Sequence, residues 1–133
     1  MDINSLLQYV ASGRGWPIVG LPDGDHKTEV PTEPGRTQVV QITPGTDPEG
    51  RAMLWIWSVV ADVSVVSDPW FLLKKNAELA YGALAVRGTQ VLLVETRPVD
   101  SADPLDLASA IFHVARAADG FEKLAYGAGV DQR

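Results

Sequence analysis

The stretch from Ser67 to Asp100, SDPWFLLKKNAELAYGALAVRGTQVLLVETRPVD, constrains the fold more than any other part of the chain. Asp68-Pro69 is a helix start, with a capping carboxylate before a residue whose fixed φ suits the first helical position. Leu72, Leu73, Asn76, Ala77 and Ala80 share one face of that helix, Lys74, Lys75 and Glu78 face solvent, and Gly82 is its stop. Ala83 to Val86 and Val91 to Thr96 then read as two strands around the tight turn Arg87-Gly88-Thr89-Gln90, and Pro98 closes the second. Asp103-Pro104 repeats the start device and opens a third helix that runs through Leu105, Ile111, Phe112, Phe121 and Leu124, with Gly120 as a place for a kink or break and Gly127 as its end. Its apolar surface is wider than the stripe of about 100° that one partner covers. One side is expected to meet the sheet, and the other the first helix or a second subunit.

Upstream, Ile3, Leu6, Leu7 and Val10 recur at helical spacing between Asp2 as N-cap and Gly13 as stop. Turn residues at Leu21-Pro22-Asp23-Gly24-Asp25 and Glu33-Pro34-Gly35-Arg36 bracket a strand from Lys27 to Pro31, placed at a sheet edge by its proline. Thr37 to Thr43 is a better strand, ending at Pro44-Gly45. Arg51 to Val63 is the central strand. One face carries Ala52, Leu54, Ile56, Ser58 and Val60, the other Met53, Trp55, Trp57, Val59 and Ala61, and both are apolar. A strand with only one buried face alternates with polar residues, so the second face is expected to be covered by a helix, a subunit or a ligand. The fold class is therefore α+β: about five strands in a mainly antiparallel sheet with three helices, in the order α-β-β-β-α-β-β-α. Residues 1–127 form a single domain, and 128–133 are expected to be a flexible tail.

The 133 residues suit one core. A formal net charge of -6 with scattered Lys and Arg opposes binding to a phosphate backbone, so no nucleic acid partner is expected. The absence of cysteine excludes disulfides, thiol catalysis and cysteine zinc sites. The run from Ala52 to Val66 is broken by Ser58, Asp62 and Ser64 and is too short to cross a bilayer of ~30 Å as a helix. MDINSLLQYV lacks the basic and apolar regions of a signal peptide. A soluble, cytoplasmic protein without a membrane partner is the expectation.

No catalytic constellation stands out. His26 lies among Asp23, Asp25 and Glu29, which supply metal donors but not the spacing of an EF-hand loop. His113 lies mid-helix with no serine or carboxylate at a telling offset, and no G-x-S-x-G elbow or phosphate-binding glycine loop is present. Asp62, Asp68, Glu78 and Glu95 offer carboxylates, but nothing in the sequence pairs them. No enzyme activity, cofactor or metal is expected. Tryptophan is abundant instead: Trp55 and Trp57 share a strand face, Trp16 leads the first turn and Trp70 opens the second helix. Aromatic residues serve both interfaces and cores, and the sequence leaves the two roles open.

The run Leu72-Leu73-Lys74-Lys75-Asn76-Ala77-Glu78-Leu79-Ala80-Tyr81-Gly82-Ala83-Leu84-Ala85-Val86, followed by Val91 to Val94 and Arg97-Pro98-Val99-Asp100, resembles the class I type III secretion chaperones (CesT-like) and the related YbjN domains. The similarity extends from Asp68 to Tyr126 in element type, and the first half agrees in element order alone. It implies a non-enzymatic homodimer that holds a client protein or peptide segment, by hydrophobic grooves or by strand addition at an edge. Aromatic content selects Trp55, Trp57 and Trp70 for the binding surface and Phe112 and Phe121 for the dimer interface. The competing expectation is a small-ligand or regulatory domain with a pocket between sheet and helices, lined by the same tryptophans and polarised by Asp62 or His113.

Overall fold

Local chemistry sets the element boundaries in the computed structural model, which describes residues 2–126. The Asp2 carboxylate accepts from the Ser5 amide at 2.7 Å and starts α1 (Ile3–Arg14), and Gly15 stops it with φ 71°. Five antiparallel neighbours then build one six-stranded sheet from β1 (Val19–Gly20), β2 (His26–Glu33), β3 (Arg36–Thr46), β4 (Ala52–Asp62), β5 (Ala83–Arg87) and β6 (Gln90–Pro98), in the spatial order β1-β2-β3-β4-β6-β5. After β4 and a single 3-10 turn (Val63–Val65), α2 (Pro69–Asn76) carries the chain past the position of β6 to the sheet edge. The β5–β6 hairpin then brings it back beside β4. α3 (Pro104–Tyr126) closes the fold.

The expected α+β class, three helices and strand order hold, with β1 as an added sixth strand. Two residues, Val19 paired with Lys27 and Gly20 with His26, leave no periodicity to read. β3 does not end at Pro44-Gly45: Pro44 pairs with Leu54 and Gly45 with Met53, since a proline and a glycine are tolerated where one neighbour supplies the remaining ladder. α2 stops at Asn76 rather than Gly82. The Asn76 side-chain amide accepts from the Leu84 amide at 2.6 Å and donates to the Leu84 carbonyl at 3.3 Å. That pairing ties the helix end to β5. Leu73 does not share the packed face of α2 but is 58% exposed, while Leu72 packs on the core. α3 passes through Gly120 without interruption, because that position is exposed and meets nothing. Gly127 as a stop and the tail at 128–133 lie outside the described residues.

The core lies between the sheet and the helices. Leu6, Leu7 and Val10 of α1 join Leu54 and Ile56 of β4 and Ile111 and Val114 of α3 in one cluster. Val60, Leu84, Val91 and Leu93 with Ala118 form a second, and Leu72 of α2 packs against it. The buried apolar surface of α3 is thus divided between the sheet and α1, while Leu105 and Leu124 remain exposed. Two polar side chains inside this layer bond to each other and to the backbone: Gln38 donates to Ser58 Oγ at 3.0 Å, and Ser58 donates to the Val39 carbonyl at 2.6 Å. Gln38 Oε1 and Thr28 Oγ1 are buried without a hydrogen-bond partner among the described residues.

The β2–β3 hairpin is fastened to α3 by Asp119, which accepts from Arg36 at 2.6 Å and from Thr32 at 3.0 Å. Burial raises the Asp119 carboxyl pKa. The hydrogen bonds from Arg36 and Thr32, with the charges of Arg36 and Lys123, outweigh it and hold the group below the usual carboxylate range. Such a group stabilises the fold above its unfolded pKa of ~3.9, and that contribution is lost as pH falls through the lower folded value. Asp119→Asn is expected to cost about 3 kcal/mol at neutral pH, because it removes a buried carboxylate that accepts from a largely buried guanidinium and from Thr32. Denaturant unfolding measured along a pH series checks this: the gap between mutant and wild type is wide near neutrality and closes on acidification.

Candidate functional site

Among the described residues, helices occupy only one side of the sheet. Cross-strand register therefore identifies the other side residue by residue, because directly paired residues share a face. Trp55 lies opposite Thr43 and Thr96, and Trp57 opposite Gln41 and Val94. Val59 pairs with Leu92, which in turn pairs with Ala85. The outer face of β3, β4, β6 and β5 is thus an apolar strip centred on the two tryptophans. Among the described residues no element packs across it. The expectation that the second face of β4 is covered by a helix is not met within residues 2–126.

The two rings are fixed differently. Trp57 is only 7% exposed although it lies on the open side. Its indole N–H donates to Thr43 Oγ1 at 2.9 Å, and the Arg87 guanidinium lies over the ring 4.2 Å from its centroid. The six-membered ring of Trp55 packs against Gly45, where an added Cβ would come within 2.8 Å of the indole Cζ3. Gly45 thus makes room for a ring, which explains a glycine inside a strand. Met53, Val59 and Val94 are half-buried around these rings.

The remaining aromatic candidates lie elsewhere. Trp70 projects from α2 at 67% exposure, on the helical side of the sheet, and does not join Trp55 and Trp57. Beside α2 an apolar cleft of about 310 Å³ opens between Phe71 and Leu72, Val60 of β4, and Phe121 and Leu124 of α3. Phe121 is part of this cleft. Phe112 is not: it sits under Arg14 and Arg116, whose guanidinium groups lie 6.0 and 5.8 Å from its centroid. The binding and dimer residues selected by aromatic content thus divide into three separate places. Residues that composition did not select, Met53, Val59, Gly45 and Arg87, complete the tryptophan face. Alternation from Trp55 points to the first two, whereas the other two depend on register.

Among the described residues, the cleft between sheet and helices has no tryptophan in its lining. The cleft there has phenylalanine and aliphatic walls, with Ser67 and Asp68 as its polar members. Asp62 is not among its lining residues. Its carboxylate accepts from the Ser64 amide at 2.9 Å, a hydrogen bond that lowers its pKa. His113 is exposed and stacks on Tyr81, with centroids 4.4 Å apart. Among the described residues no group of three His, Asp or Glu side chains comes together to hold a metal, and no helix is long and apolar enough to cross a membrane. No protein-family profile matches the chain, and no curated protein matches its sequence.

Gly45→Ala is expected to lift the Trp55 ring off the sheet at a stability cost within about 1 kcal/mol, since alanine itself suits a strand better than glycine. A red-shifted tryptophan emission with a nearly unchanged urea midpoint is the outcome to look for, and an unchanged spectrum contradicts the placement of that ring.

Proposed function

We propose that this chain is a non-enzymatic protein-binding module that holds a segment of another protein on the outer face of its sheet. The observation that carries the reading is the apolar strip of half-buried Met53, Trp55, Val59 and Val94 around the buried Trp57 and Leu92, on which no described element packs. Large contiguous apolar patches on the surface of a domain mark interaction sites, and Trp, Met and Arg are enriched in such sites. The resemblance of Asp68 to Tyr126 to class I type III secretion chaperones and YbjN domains supports the same kind of activity.

A photo-crosslinking residue at Met53, introduced in the native host, tests this. One dominant adduct is expected from Met53 and none from Arg116 on the exposed side of α3. Trp55→Asp is expected to remove the adduct while circular dichroism stays unchanged, because truncating a central aromatic anchor costs about 2 kcal/mol or more, roughly thirtyfold in Kd. Absence of any adduct above background sinks the reading.

The homodimer belongs to the opposite layer. α2 has no fully buried residue, and Trp70 and Leu73 project from it near the apolar cleft that includes Phe121. A two-fold arrangement would place the projections of each copy against the cleft of the other, which closes the assembly at two. Trp70→Asp is expected to shift the sedimenting mass from dimer to monomer without loss of helix content. The volume and lining of the cleft also suit a small apolar ligand. A monomeric wild type whose melting temperature rises with an added aliphatic probe would favour that use of the cleft.

A further inference from the structure

The outer face has a charge pattern as well as an apolar one. Arg87, exposed at the end of β5, lies over Trp57 and makes no ion pair among the described residues. Between Glu29 on β2 and Asp62 at the end of β4, that face of β3, β4, β6 and β5 presents no carboxylate. The Asp62 carboxylate is itself engaged by the Ser64 amide. Yet the whole chain has seventeen acidic residues and a net charge of -6, so the omission is local.

Backbone geometry limits how a partner segment approaches. At the β5 edge the Asn76 side chain already occupies the amide and carbonyl of Leu84, as a neighbouring strand would. At the other edge β1 pairs with the first two residues of β2, and beyond them β2 carries Glu29, Glu33 and Pro31, which has no N–H to offer. Charges, proline and covered backbone are the features that discourage strand addition. A segment that instead lies on the face must satisfy its own backbone, which a helix does. The same sheet packs α1 and α3 on its inner side in this way.

We propose that the occupant of the outer face is an amphipathic helix of a partner protein, whose apolar stripe packs on Trp55 and Trp57 and whose flanking carboxylate meets Arg87. This rests on the reading of that face as the binding surface. A second copy of this chain fits less well there, because the identical face would bring another arginine and no carboxylate to meet it.

The test uses a displayed library of amphipathic helices about 15 residues long, enough to cross the four strands. Their flanking positions are randomised, and selection runs on the wild-type chain and on Arg87→Gln. Asp and Glu are expected to be enriched on one flank with the wild type and not with Arg87→Gln, while Arg87→Lys keeps the enrichment. A selected peptide made with Glu and with Gln at that flank is expected to differ about tenfold in Kd on the wild type and to lose most of the difference on Arg87→Gln. Helical circular dichroism should rise on binding. Equal enrichment on both chains, or no gain of helix, overturns this proposal but leaves the binding face standing if Trp55→Asp still abolishes capture. Selected peptides that bind Trp55→Asp as well as wild type overturn both. A dimer that Trp55→Asp converts to monomer makes the face a contact between copies and overturns the helix proposal.

Discussion

α3 lying along the inner side of β4 is the interaction on which the rest of this fold depends. Leu54 and Ile56 share a cluster with Ala108, Ile111, Val114 and Ala115, and Val60 and Ala61 share the next with Ala118. The alanines matter as much as the large residues. Ala108, Ala110, Ala115 and Ala118 are all buried, and small side chains let the helix approach the sheet closely along its length. The opposite flank of α3 then receives α1, so a helix of twelve residues that is marginal alone gains a partner for Leu6, Leu7 and Val10.

With both large helices on one side, the sheet is left open on the other among the described residues, and the connections keep it so. The hairpins β2–β3, β3–β4 and β5–β6 place no helix on either face, and the one crossover goes through α2, which stays with the second core cluster by Leu72. Asp119 and Arg36 reinforce the same asymmetry, since they bind the β2–β3 hairpin to α3 from the inner side. Edges are treated differently from faces. Asn76 closes part of one edge and Pro31 interrupts the other, while the broad apolar face has no comparable cover.

Much of the fold was legible because its signals are local. Asp2, Asp68 and Asp103 announce helices by short-range hydrogen bonds, and each carboxylate accepts from an amide two or three residues on. The glycine in the Arg87-Gly88-Thr89-Gln90 turn is equally local, with φ 60° at Gly88. What could not be read depends on contacts far apart in sequence. Asn76 ends α2 by reaching Leu84, and Gly45 continues β3 because β4 pairs with it and Trp55 needs the space. Trp55 and Trp57 were visible as a pair by alternation, but their side of the sheet was not: a strand apolar on both faces does not say which one the helices take. Arg87 lay outside any composition-based choice: register puts it in one row with Gln90 and Asp62, and only its long side chain reaches along the face to Trp57.

The way the two tryptophans are held bears on how the open face behaves as a surface. A long side chain that must be immobilised on binding costs about 0.5 to 1.5 kcal/mol of the affinity it brings. Trp57 has met most of that cost in the free chain, with its N–H bonded to Thr43 and its ring beneath Arg87. Trp55 is constrained by contact with Gly45 rather than by a hydrogen bond. The tension between apolar exposure and stability is also eased, because Arg87 shields Trp57 to 7% exposure while keeping its own charge in water. A hydrated cation over a ring loses little in the free protein and becomes more selective when a partner displaces its water, since the Coulomb energy of a close opposite charge grows as the local dielectric falls. On the proposed reading the arrangement joins two properties that usually oppose each other: a firm apolar surface, and a charge that would select its partner.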